Sequence, residues 1–249
     1  MSTSRPVALV TGSATGIGRA CALRLAQLGY DIVINYSQSQ DEAYETVRLV
    51  ESTGVRTLLC RADVSIDGEV GEMIAATERS FDRLDVLVNN AGTTHFVEHA
   101  DLEAMSEDKW DRILAVNLKG PFFCIRAAAK LLAAGEGGAV VNVSSVAGLS
   151  GLGSSVAYCA SKGALNTMTK SLARALAPRI RVNAVCPGPV DSRWLRSVMT
   201  EEQLHARTQS HPIPRPAQPD DIADAVVYLA TGTSLTTGQL LVVDGGRTM

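Results

Sequence analysis

Aromatic side chains are scarce in this chain, Phe, Tyr and Trp together making up 4% of its 249 residues. A core must then be built from Ala, Val, Leu and Ile, as in ordinary soluble proteins. There is no excess of basic residues, the formal net charge being -3, so nothing marks a nucleic-acid binder. Cysteine comes as Cys21, Cys60, Cys124, Cys159 and Cys186, scattered and without a CxxC pair. That argues against a disulfide framework or a zinc site and fits reduced thiols in a cytoplasmic compartment. His95, His99, His205 and His211 show no ligand spacing of the HExxH kind, so no metal centre is expected. Membrane attachment is not expected either, because no window reaches about 18 uninterrupted apolar residues. The opening MSTSRPVALVTG also lacks the cationic, apolar and cleavage segments of a secretory signal.

What the chain does have is alternation. The short apolar runs PVALV, DIVIN, VRTLLC, DVLVN, AVVNV, IRVNAV and LLVVD recur along it. Several are apolar throughout, as strands covered on both faces should be. Between them the spacing predicts helices over 16–28, 40–53, 67–81, 108–134, 156–177 and 219–230. No linker or compositional shift interrupts the series, which argues for one doubly wound parallel sheet. The exception is 187–219, which holds six of the nine prolines and no strand-like run. It reads as an excursion with one or two short helices, a lid over about 188–218.

VALVTGSATGIGRA is an apolar strand entering Gly12, Gly16 and Gly18 and then a helix. Glycines there let the backbone approach a pyrophosphate while the helix N-terminus supplies N–H donors; alone, the same cluster could be a tight turn. The second strand ends in INYSQSQ, where an acidic residue would accept the adenosine ribose hydroxyls and repel a 2'-phosphate. Tyr36 and Ser37 stand there instead, and no carboxylate follows them before Asp41. This favours NADP(H), with NAD(H) as the alternative, although no arginine or lysine stands at the strand end to clamp the phosphate. AYCASKGAL sets Tyr158 and Lys162 four residues apart, on one helical face. Taken alone, that pair is no more than a half-buried aromatic beside a cation.

TGSATGIG, NNAG at Asn89–Gly92, VNVSS at Val141–Ser145, YCASK at Tyr158–Lys162 and PG at Pro187–Gly188 occur in this order, and the chain closes on VVDGG. Together they make the whole chain resemble the short-chain dehydrogenase/reductase family, and within it the reductases of 3-oxoacyl thioesters and related ketones. The resemblance implies a single Rossmann-like domain over 1–249, a seven-stranded parallel sheet flanked by helices on both faces. It implies a catalytic tetrad of Asn117, Ser145, Tyr158 and Lys162. A nicotinamide cofactor would be held by Gly12, Ser13, Thr15, Gly16, Ile17, Gly18, Tyr36, Ser37, Asp63, Val64, Asn90, Ala91 and Gly92. Tyr158, Lys162, Pro187, Gly188 and Val190 complete that set. Thr15 departs from many NADPH-using relatives, which carry a basic residue there.

Carbonyl reduction needs a hydride on carbon and a proton on oxygen. Tyrosine titrates near pH 10, and an ammonium one turn away should lower that value, making Tyr158 a usable acid and base. Ser145 would donate to the substrate oxygen, and Asn117 would anchor a water chain returning protons to Lys162. His95, Phe96, Leu149, Leu152, Val156, Trp194 and Leu195 are candidates for the substrate wall. The lid cations Arg193, Arg196 and Arg207 are balanced by Asp191, Glu201 and Glu202, so no acyl-carrier surface stands out. The expected partners are a small carbonyl or alcohol substrate and further copies of the chain, as a homotetramer or homodimer formed through 108–134, 156–177 and the C-terminal strand. The rival readings are an NAD-dependent alcohol or sugar dehydrogenase and a non-catalytic nucleotide-binding protein; the latter should show a broken tetrad or glycine loop, and neither is broken.

Overall fold

In the computed structural model, which describes residues 5–249, the first half of the chain alternates strictly. It runs β1 (Val7–Val10), α1 (Gly16–Gln27), β2 (Asp31–Tyr36), α2 (Gln40–Glu51), β3 (Thr57–Arg61), α3 (Asp67–Phe81) and β4 (Val86–Asn89). The second half runs α4 (Glu107–Leu114), a π-helical turn (Ala115–Lys119), α5 (Gly120–Leu132), β5 (Gly138–Val143), α6 (Ala147–Ser150) and α7 (Val156–Leu176). It closes with β6 (Ile180–Pro187), α8 (Arg193–Arg196), α9 (Glu201–Thr208), α10 (Pro219–Thr231) and β7 (Leu240–Val243).

All seven strands pair in parallel in the order β3-β2-β1-β4-β5-β6-β7. The apolar runs have the reason expected of them. Within β1, Ala8 and Val10 pack with Leu25 of α1 and Val226 of α10. Val7 and Leu9 point the other way, onto Met73 of α3 and Ile125 and Leu132 of α5. Both faces are therefore dry, and alternation with polar residues would leave polar groups buried on one of them. The chain order reverses between β1 and β4, and a crevice opens there beyond the carboxyl ends of the strands.

Two predicted features need correction. The helix predicted over 108–134 is interrupted at Ala115–Lys119, where a π-helical turn widens it just before Pro121, whose ring removes a backbone donor. The excursion after Pro187 is not free of strand pairing: Val190 bridges Ala217, with Asp191 N–H donating to Ala217 O at 2.8 Å and Ala217 N–H to Pro189 O at 2.9 Å. Both stems of the lid are thus clasped together. The two short helices inside it are α8 and α9, the latter opened by a capping box between Thr200 and Gln203. Among the described residues no helix is long and apolar enough to cross a membrane, and no group of three His, Cys, Asp or Glu is placed to hold a metal ion. The five cysteines are all buried thiols.

Candidate active site

The crevice encloses about 1750 Å³. From the ends of β1 and β2 it receives Gly12, Thr15, Gly16, Ile17, Tyr36 and Ser37; from the ends of β3 and β4, Asp63, Val64, Asn90, Ala91 and Gly92. The ends of β5 and β6 and the start of α7 bring Ser145, Tyr158, Lys162, Pro187, Gly188 and Val190. Residues up to 178 positions apart in the chain, from Gly12 to Val190, so face one space. Ser13, Gly18 and Asn117, expected in the same set, stand behind the lining. Ser13 is wholly buried with its hydroxyl on the backbone of Asn35, and Gly18 packs so closely that a Cβ would sit 2.4 Å from Gly12 O. Their contribution is the shape of the loop. Gly16 does open onto the crevice: at φ +55° nothing lies within 4 Å of where its Cβ would be, so any side chain would project into the cradle. An uncapped helix N-terminus behind a glycine cradle fits the pyrophosphate of a dinucleotide.

Asn35 was missed, although an Asn inside the apolar run DIVINY was a signal. It is 1% exposed; its Oδ1 accepts from Gly12 N–H at 3.0 Å and its Nδ2 donates to Ala62 O at 3.0 Å. One amide thereby ties the glycine loop to the strand beyond β2. Asn35→Ala should orphan both backbone groups and cost about 2–3 kcal/mol. The check is a urea titration, with the midpoint falling at unchanged m-value.

The proton-handling residues are placed by α7. Ser155 caps it, its Oγ accepting from Tyr158 N–H at 3.3 Å, which sets Tyr158 in the first turn and Lys162 one turn on. At the end of β5 the paired serines divide. Ser144 turns inward, donating to Asn166 Oδ1 at 2.6 Å, while Ser145 faces the crevice and hydrogen-bonds Tyr158. Lys162 is 4% exposed, and its Nζ donates to Val143 O at 2.8 Å and lies 5.8 Å from the centre of the Tyr158 ring.

The electrostatics differ from the expectation. Burial pushes the Tyr158 phenol up to about 12, against which the Ser145 hydrogen bond pulls only weakly. Burial also pushes Lys162 down to about 8. The lysine was expected to lower the phenol; here desolvation of both groups dominates, because the ammonium spends its short contact on Val143 O. Asn117 stands beside these groups with its side chain fully engaged. Its Oδ1 accepts from Thr93 N–H at 2.8 Å, and its Nδ2 donates to Thr93 O at 2.9 Å and Ser161 Oγ at 3.1 Å. Both amide protons are taken, so the side chain fastens the loop after β4 to α7.

His95, Phe96, Leu152, Trp194 and Leu195 line the crevice as expected; Leu149 and Val156 do not, Val156 instead lining a smaller hollow with Val97, Leu102 and Trp110. Asp63 accepts from Ser65 and from Arg112 Nη2, at 2.9 Å, and these partners hold its carboxyl below its usual range against the opposing effect of burial. The lid lies across the cleft already, Trp194 Cη2 being 3.5 Å from the Cβ position of Gly92. Arg196 pairs with Asp191 and Glu201, as the charge count suggested. Arg193 does not; it crosses to Glu42 of α2.

A family model described as enoyl-(acyl carrier protein) reductase matches residues 12–248. The chain is 40% identical over 244 residues to a 3-oxoacyl-(acyl-carrier-protein) reductase FabG of Staphylococcus aureus, covering 97% of this chain and 98% of that one. A Burkholderia xenovorans structure provisionally classed as a short-chain dehydrogenase/reductase superposes with a TM-score of 0.92 at 40% identity, covering 98% of both chains. Acetoin dehydrogenase YohF of Salmonella typhimurium superposes with a TM-score of 0.86 at 38% identity, covering 97% of this chain and 96% of that one.

Proposed function

The chain belongs to the short-chain dehydrogenase/reductase family of oxidoreductases, and from that premise we propose that it is an NADPH-preferring carbonyl reductase with Tyr158 as its acid. The observation that carries this reading is one shared floor: Ser145, Tyr158 and Lys162 open into the same crevice as the glycine loop. When bound, a nicotinamide supplies the hydride that the carbonyl carbon receives. Ser145 donates a hydrogen bond to the carbonyl oxygen, where negative charge develops. Tyr158, protonated at neutral pH with its phenol near 12, gives that oxygen its proton. Lys162, cationic below about 8, stabilises the phenolate left behind. Residues 188–218 act as a lid that closes over substrate and excludes water.

Among substrates, a 3-oxoacyl thioester is supported by the likeness to FabG. The second reading, an NAD-dependent alcohol dehydrogenase working oxidatively, is supported by the likeness to acetoin dehydrogenase. Initial rates with acetoacetyl thioester and a panel of small ketones, each with NADPH and with NADH, separate the two. Thioester reduction preferring NADPH supports the first, whereas activity confined to NAD and alcohols replaces it with the second.

A cytoplasmic homotetramer or homodimer completes the reading. Phe122 of α5, Val156 of α7 and Val242 of the edge strand β7 are 39%, 39% and 38% exposed, apolar surface that a second copy would cover. Light scattering should give a mass of two or four chains; a monomer at micromolar concentration rejects the assembly.

A further inference from the structure

We propose that Arg193 is the residue that selects NADP(H): reaching over from the lid, it clamps the 2'-phosphate of the adenosine ribose and supplies the cation that the end of β2 lacks. The inference rests on the cofactor reading above and names the group that enforces it. At the end of β2 the crevice is lined by Tyr36, Ser37, Gln38 and Ser39, hydroxyls and an amide with no base among them to hold a phosphate; the nearest carboxylates, Asp41 and Glu42, stand outside this lining in the first turn of α2. Arg193, the first residue of α8, lines the same crevice and stretches over this corner. Its Nη1 donates to Glu42 Oε1 at 2.8 Å and its Nη2 to Ser39 Oγ at 3.1 Å. It therefore spans 154 positions of sequence to arrive beside the serines that a 2'-phosphate would meet.

Neighbouring cations are less suited to the task. Arg19 is committed to Ala14 O, Thr46 and Glu45. Arg61, opposite Tyr36 at the end of β3 with its Nε on Ser37 O at 3.4 Å, does not line the crevice. Arg193 by contrast is held by an exchangeable partner: its side chain is 62% exposed, and exposed pairs of this kind are weak. A phosphate offers the guanidinium a bidentate acceptor of greater charge. The same corner carries Asp41 and Glu42, which on their own would repel a phosphate. Arg193 offsets one of those two charges and places its own directly at the serines. Since it belongs to the lid, exchanging Glu42 for the phosphate would tie the lid to the bound cofactor in place of α2.

The test measures binding without catalysis. Fluorescence titration gives Kd for NADPH and NADH, and calorimetry gives Kd for ADP and for ADP phosphorylated at the 2' position, on wild type, Arg193→Ala, Arg193→Lys and Glu42→Gln. Arg193→Ala should weaken NADPH and the 2'-phosphorylated nucleotide about tenfold, a charge-assisted hydrogen bond in a partly exposed site, and shift NADH and ADP by less than about twofold. Arg193→Lys should recover part of the loss, and Glu42→Gln should tighten NADPH. Equal weakening of phosphorylated and unphosphorylated ligands, or no change in either, overturns the proposal while the cofactor reading stands. Wild-type protein that binds no dinucleotide overturns both.

Discussion

Tyr158→Phe is expected to lower carbonyl reduction about a thousandfold, within the usual span for loss of a general acid, and to leave the Kd for NADPH within about threefold. The side chain keeps its volume and loses one hydroxyl, which is the group hydrogen-bonded to Ser145 at the floor of the crevice. Folding should be little affected, because the ring keeps its place on α7 beside Gly153. The wild-type pH profile follows from the neighbour. Lys162 titrates near 8 in the cofactor-free protein. Below that value its charge stabilises the phenolate formed as the proton leaves; above it that stabilisation is lost, so the reductive rate should fall as pH rises through about 8. Phenylalanine leaves no phenolate to stabilise, and the residual rate of the variant should lack this descent. Steady-state rates between pH 6 and 10, with a fluorescence titration of NADPH beside them, check both parts. A variant turning over within fivefold of wild type would remove Tyr158 from the chemistry, and a variant that no longer bound NADPH would make it a cofactor residue instead.

The parts of the molecule readable from sequence are those that repeat a simple physical rule. A strand buried on both faces is mostly apolar, and β1, β2 and β4, every residue of which is buried, advertise themselves in VALV, DIVINY and VLVN, where the polar exceptions Asp31, Asn35 and Asn89 each have a hydrogen-bond partner. Glycines at a strand-to-helix turn and a Tyr and Lys one helical turn apart are equally local patterns. Less legible was anything that depends on which side chain takes the last hydrogen-bond partner. Asn117 could be placed on the helix before the fold was known, but not the pair of bonds with Thr93 that consumes its amide. The lowering of the Tyr158 pKa was a fair inference from spacing, yet spacing says nothing of burial, and burial acts on the lysine as strongly as on the phenol. Arg193 shows the limit most plainly. Counted within the lid it was balanced by neighbouring acids; in space its partner is Glu42, 151 positions earlier.

Lys162→Met is expected to abolish most activity and to make the protein more stable. A lysine 4% exposed, whose pKa drops from 10.5 to about 8 on folding, opposes folding at neutral pH by roughly 3 kcal/mol at about 1.4 kcal/mol per unit. Methionine fills a similar volume without charge and loses only the bond to Val143 O, worth about 1–2 kcal/mol. The balance favours the variant by about 1–2 kcal/mol, a rise in Tm of about 3–6 °C for a chain of this length. The pH dependence separates this cause from better packing. Between pH 8 and 10.5 the unfolded wild-type lysine binds more proton than the folded one, so wild-type stability increases with pH across that window. Below pH 8 the full opposing contribution is present, and above 10.5 it is gone. The advantage of Lys162→Met should accordingly be largest at pH 7 and vanish by about pH 10.5, while an advantage from packing would persist at every pH. Urea denaturation of both proteins at pH 7 and pH 10 decides it, and a variant less stable than wild type at pH 7 would mean that the buried ammonium is better satisfied than its single bond to Val143 implies. If the expectation holds, the chain keeps a destabilising charge in its interior at the one place where proton transfer has a use for it.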